Sequence, residues 1–276
     1  MMKRVMIIAA VCFSAFTSIA FSYTSKFTDD KKKFPSLLGE KSDMGGAQRM
    51  ADSIYNQLHL DSLGLSHDAF FEAYKGYQFL LNKNMLKKPE LLTICDLSQS
   101  STHRRLYVLN IKTGEVLFNT YVAHGRNSGS EFATSFSNLN SSHKSSLGFM
   151  VTAETYTGKA GFSMRLDGQE AGINSNVRTR DVVMHGSTYV NEDRGDDGQA
   201  MGRSYGCPAV PYTQHKAIIN TIKDGSCFYI YHTDSWYHHA SKIINAEFSW
   251  PSLQQAPALA ENAPVAVPAA TAGAKI

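Results

Sequence analysis

RLYVLNIKTGEVLFNTYVA, residues 105–123, decides the fold class. Two runs rich in Val, Leu, Tyr and Phe flank the short segment Lys112-Thr113-Gly114. Such runs favour extended chain, and a glycine between them supplies the freedom a tight turn needs. The stretch therefore predicts a β-hairpin with Gly114 in its turn. The same reading continues in both directions. LLTICDL starts at Leu91, GFMVTAETY covers 148–156, FSMRLDG 162–168, RDVVMHG 180–186 and SCFYIYH 226–232. Glycines mark nearly every junction, and there is no internal repeat. The expected class is mostly β, of the α+β kind, with a sheet domain over 90–245.

Upstream of the sheet the pattern is helical. Met50, Ile54 and Leu58 fall at helical spacing within 44–60. Ser66 is a good N-cap, Leu65 can staple to Phe70, and Phe70, Tyr74, Tyr77 and Leu81 share a face. Pro89 ends this zone, so a small helical segment over 44–89 precedes the sheet. Residues 23–43 are polar and lysine-rich and read as a flexible lead. Residues 1–22 begin with Lys3 and Arg4, run apolar from Val5 to Phe16 and end in small residues. That is the pattern of a secretory signal peptide, and it predicts an exported protein of the periplasm or cell envelope. The Ala/Pro-rich tail over 250–276 has almost no charge and reads as disordered, a spacer open to transient envelope partners.

Composition narrows the function classes. The chain is 43% hydrophobic and 18% charged, which suits a globular core. Its net charge is +3, and loss of Lys3 and Arg4 with the signal lowers it to +1. The only basic block is Lys31-Lys32-Lys33, so nucleic acid is not an expected partner. After export three cysteines remain, Cys95, Cys207 and Cys227. Cys95 and Cys227 sit in apolar strand candidates and read as core residues, with a disulfide between them left open. Cys207 differs: in GRSYGCPAV, residues 202–210, it follows a glycine and lacks core-forming neighbours. A thiol held at such a turn is one that a substrate can reach.

A thiol becomes a nucleophile when a base can take its proton. His185 ends the apolar run Val182-Val183-Met184 and is followed by Gly186. A histidine at a strand end can face a cleft. The polar, glycine-rich segment between His185 and Cys207 can leave and return to the same rim. The Gly186 carbonyl can accept the Nδ1 proton, leaving Nε2 for the thiol. Gly206 permits a backbone that aims the N–H groups of Gly206 and Cys207 at one point, an oxyanion site.

With V-M-H-G and S-Y-G-C in place, the chain resembles the YkuD-type L,D-transpeptidase catalytic domain, in a divergent branch of murein L,D-transpeptidases. The likeness runs over roughly 65–232 and includes VAHGRNSG, MRLDGQEAGIN, RDVVMHGSTYV and GRSYGCPAV. It implies a YkuD-like β-sandwich or barrel and a cysteine acyltransferase acting on peptidoglycan stem peptides, with no cofactor and no metal. Cys207 is then the nucleophile, His185 the proton carrier, Gly186 the orienting carbonyl and Gly206 part of the oxyanion site. Ser204, matching the motif serine, holds the loop beside the substrate. His124, Arg203 and Tyr205 complete the substrate-contacting set. Two departures stand out: Tyr205 replaces the wider family's histidine, and Ala209 replaces its arginine. Arg203, Arg165, Arg178 and Arg180 are candidates to replace that arginine.

Rival readings are distinguishable. A papain-like enzyme places cysteine before histidine, the reverse of the order here. A zinc site from Cys207, His185 and His124 lacks the usual ligand spacing. A non-catalytic wall-binding module would tolerate loss of Cys207. An L,D-carboxypeptidase shares the acyl-enzyme and differs only in passing the acyl group to water.

Overall fold

The structure is a computed structural model, and it describes residues 44–247. The expected signal peptide, flexible lead and Ala/Pro tail lie outside them. Two helices come first, α1 (Met44–Gln57) and α2 (His67–Asn82). Then follow β1 (Leu91–Asp96), β2 (Leu106–Asn110), β3 (Glu115–Thr120), β4 (Gly148–Gly158), β5 (Gly161–Gly168) and β6 (Val183–Ser187). After the short α3 (Glu192–Asp196) come β7 (Ala209–Pro211), α4 (His215–Ile222), β8 (Cys227–Tyr231) and α5 (Ser235–Ala240).

All eight strands form one sheet, in the order β3-β2-β1-β8-β4-β5-β6-β7. The hairpin of β2 and β3 turns through Gly114 at φ +69°. The Asn110 side chain accepts from the N–H groups of Lys112 and Thr113 and pins that turn. β8 is buried at every position and lies between β1, its parallel neighbour, and β4. A strand covered on both faces has no polar alternation, which is why CFYIY is continuously apolar. The two ends of the sheet nearly meet: just past β3, the Ala123 N–H donates to the Ala209 carbonyl of β7 at 2.8 Å. The sheet thus curls toward a barrel.

The helical segment shares the sheet's core. Phe70, Tyr74, Tyr77 and Leu80 of α2 belong to the same buried cluster as Ile94, Phe149 and Tyr229. Phe149 and Tyr229, side by side on β4 and β8, stack with ring centroids 4.0 Å apart. The Ser66 hydroxyl caps α2 by accepting from the Ala69 N–H at 3.2 Å. At the far end of α2 the buried face rotates onto Leu80, and Leu81 is half-buried. Strict spacing by three or four drifts around a 3.6-residue helix, which accounts for this shift.

Cys95 and Cys227 are both buried and both free. The register sets Cys227 opposite Leu92 and Cys95 opposite Ile230. Three strand residues span about 10 Å, which is beyond disulfide reach. The open disulfide is therefore excluded by register. Among the described residues no helix is long and apolar enough to cross a membrane.

Candidate active site

β7 runs parallel to β6, with His185 opposite Ala209. Cys207 stands two residues before Ala209, so it enters at the beginning of β6. Its sulfur accepts from the Val183 N–H at 3.4 Å and donates to the Asp181 carbonyl at 3.6 Å. Val183 and His185 lie two apart on one strand and therefore on one face. From strand spacing and rise, the Cα atoms of Cys207 and His185 are on the order of 8 Å apart. The His185 ring is half-buried, with Nδ1 3.0 Å from the Gly186 carbonyl oxygen. A carbonyl only accepts, so Nδ1 carries the proton and Nε2 holds the lone pair.

Both groups are neutral at rest. Burial lifts the Cys207 thiol above its ordinary range and outweighs the Val183 N–H and the Arg180 charge, which pull it down. Burial also holds His185 below its ordinary value, against the Gly186 carbonyl, and His215 adds to the depression. No hydrogen bond joins the sulfur to the imidazole among the described residues. The site is therefore a thiol with a base close by, with no thiolate–imidazolium pair formed in advance.

Gly186 and Gly206 are there for room. A Cβ on Gly186 would lie 2.5 Å from the His215 ring, which packs against the back of the His185 corner. Gly206 has φ +118°, and a Cβ there would meet the Lys144 carbonyl oxygen at 2.8 Å. Ser204 is buried, and its hydroxyl donates to the Cys207 carbonyl at 2.7 Å and accepts from the Gly206 N–H at 3.0 Å. Two expectations change here. Ser204 touches the loop and offers no face to a substrate, because both roles of its hydroxyl are taken internally. The Gly206 N–H is likewise occupied, so the expected pair of oxyanion donors reduces to the Cys207 N–H. Gly206 contributes conformation.

His124 is also corrected. It is 1% exposed, and its Nδ1 lies 2.8 Å from the Arg105 guanidinium. Arg105 has no exposed surface and donates in addition to the carbonyls of Val122 and Gln99. Burial, then the Arg105 charge, pulls His124 down to about 4. A stem peptide cannot touch this ring. The backbone of His124 supports the site instead: its carbonyl accepts from the Ser204 N–H at 3.0 Å. Arg105 escaped the sequence reading. Its one signal is a charged residue heading an otherwise apolar strand run.

The remaining candidates separate by their partners. Arg178 is bound by Glu154 and Asp167, and Arg165 by Asp181 and Glu154. Arg203 is exposed and donates to the Gly129 carbonyl at 3.0 Å. Arg180 alone of the four acts on Cys207. Its guanidinium donates to Ser137, Ser142, Lys144 and Ser146, tying the segment 137–146 to a cation that acts on Cys207. Tyr205 is 63% exposed, with the His143 ring edge-on at 4.6 Å and the Arg126 guanidinium 5.6 Å from its centroid. Of the expected substrate-contacting residues, Tyr205 and Arg203 reach solvent, and His124 and Ser204 do not.

Residues 62–231, more than half of the chain, match the family described as the L,D-transpeptidase catalytic domain. No curated protein matches. Among solved structures, an L,D-transpeptidase from Mycobacterium smegmatis is similar at 12% identity and a TM-score of 0.32, covering 52% of this chain and 59% of that one. One from Enterococcus faecium is similar at 14% identity and a TM-score of 0.31, covering 51% and 50%. One from Stackebrandtia nassauensis is similar at 13% identity and a TM-score of 0.31, covering 60% and 68%. The chain spans half to about three fifths of the length of the first two of these structures.

Proposed function

This chain belongs to the L,D-transpeptidase catalytic domain family, and from that premise we propose that it is an exported cysteine acyltransferase of peptidoglycan stem peptides. The observation that carries the reading is the parallel pairing of β6 with β7. It sets His185 beside the strand that Cys207 enters and fixes the sulfur by the Val183 N–H.

The chemistry follows from those two groups. The Cys207 sulfur attacks the carbonyl carbon of the third stem residue while its proton passes to His185 Nε2. The Cys207 N–H faces the developing oxyanion. Collapse of the tetrahedral adduct breaks the C–N bond, and His185 returns the proton to the departing D-alanine amine. A stem amine then attacks the thioester, His185 takes its proton, and the thiol is restored. Because thiol and imidazole begin neutral, this proton transfer accompanies attack.

Intact-mass spectrometry with a carbapenem tests the nucleophile. One covalent adduct on Cys207, absent in Cys207→Ser, is the expected result. An adduct on Cys95 or Cys227, or none at all, would overturn the reading. Products from purified wall sacculi then identify the acceptor: new crosslinks mean an amine, and trimmed stems alone mean water.

A further inference from the structure

The rim of the nucleophile loop carries several cations, and their side-chain bonds separate them. Arg180 donates to Ser137, Ser142, Lys144 and Ser146 in the segment 137–146. Arg203 donates to the Gly129 carbonyl. Lys144 donates to the Ser135 hydroxyl at 2.7 Å. Arg165 is paired with Asp181. Arg126 is different: it is exposed, and among the described residues its guanidinium has no carboxylate or carbonyl partner. The guanidinium lies over the Tyr205 ring, 5.6 Å from its centroid.

The backbone holds Arg126 in place even though its head is unbonded. The Arg126 N–H donates to the Ser204 carbonyl at 2.7 Å, and its carbonyl accepts from Arg203 at 3.4 Å. Tyr205, wedged between Arg126 and the edge of His143, stands two residues from the nucleophile. An arginine stacked on an aromatic face keeps its in-plane N–H fork available for a planar anion. Its desolvation cost falls on the ring side, and the fork side remains in water.

We propose that Arg126, steadied on Tyr205, is a specificity residue that binds a carboxylate of the incoming peptide. The inference rests on the stem-peptide reading above and deepens it. The carboxylate comes from the terminal D-alanine or from an interior stem residue. A bidentate, charge-assisted pair accounts for its strength.

The experiment uses the full chain with Cys207→Ala, so that binding is read without turnover. Calorimetry compares three stem tetrapeptides ending in D-alanine: the free acid, the C-terminal carboxamide, and one with its interior carboxylates amidated. One of the two amides should bind about tenfold more weakly or worse than the free acid, and this identifies the carboxylate. Adding Arg126→Gln should erase that preference while leaving the weaker amide's affinity unchanged, and Arg126→Lys should restore part of it. If both amides bind like the free acid, the inference is overturned and the stem-peptide reading stands. Equal weakening of all three peptides by Arg126→Gln overturns it too, since that marks a packing role. If no tetrapeptide binds, the functional reading falls and this inference falls with it.

Discussion

His124-Gly125 and His185-Gly186 are two copies of one local pattern, a histidine and a glycine closing an apolar strand, and both flank Ala209. Ala123 pairs with that residue from one side and His185 from the other. Their surroundings are opposite. The first ring is sealed and abuts the buried Arg105 cation. The second is half-buried and rests on a carbonyl. The first corner acts through its backbone, holding Ser204 and with it the Cys207 loop. The second offers a lone pair. The local pattern is the same in both, and burial with the neighbouring charge separates them.

The largest expected effect breaks that symmetry in catalysis. His185→Gln should lower kcat by about 10²–10⁴-fold, the range for loss of a general base. His124→Gln, whose amide oxygen can still accept from Arg105, should change kcat by less than about tenfold because only a support is altered. Steady-state kinetics on stem peptides, with melting temperatures as a folding control, checks the pair. Equal losses in the two variants would sink the distinction between the corners.

Acid stability gives a smaller effect of the opposite assignment. His124 titrates near 4 when folded, against an ordinary value of 6.5. The unfolded chain therefore takes up its proton first as pH falls. The stabilisation is complete above 6.5 and is lost as pH drops to about 4, at most about 3 kcal/mol. Denaturant melts across that window should show the loss, and His124→Gln should flatten it. A slope unchanged in His124→Gln would mean that other groups carry the acid sensitivity.

The smallest effect concerns the thiol. With Cys207 held above its ordinary range by burial, alkylation by iodoacetamide should still be climbing at pH 9. A rate already level between pH 6 and 8 would instead indicate a thiolate–imidazolium pair, and the neutral resting site described here would be wrong.

Much of the fold is legible locally. The β2–β3 hairpin, the long β4 and β5, and the buried β8 each carry their signal within a few residues. Gly114 and the Asn110 turn bonds show why the hairpin reads so clearly. β7 escaped because it is three residues long, contains Pro211 and pairs only with distant chain. α4 does carry a local signal, since His215, Ile218, Ile219 and Ile222 are spaced for one buried helical face, but the helix is only 8 residues long. Within the site, Cys207, His185 and both glycines could be named from the chain. The occupied Gly206 N–H could not, because Ser204 takes it through a side-chain rotamer that no spacing records.

By itself the sequence determined the strand content, the turn glycines and the inventory of a thiol, a base and a glycine-bearing loop. These depend on side-chain type and on neighbours a few residues away. Only the tertiary structure decided which histidine is sealed beside Arg105, that Cys95 and Cys227 stay apart, and which rim arginine keeps an open fork. Those outcomes depend on register and burial, which arise when segments far apart in the chain pack together and change each group's dielectric surroundings and its partners.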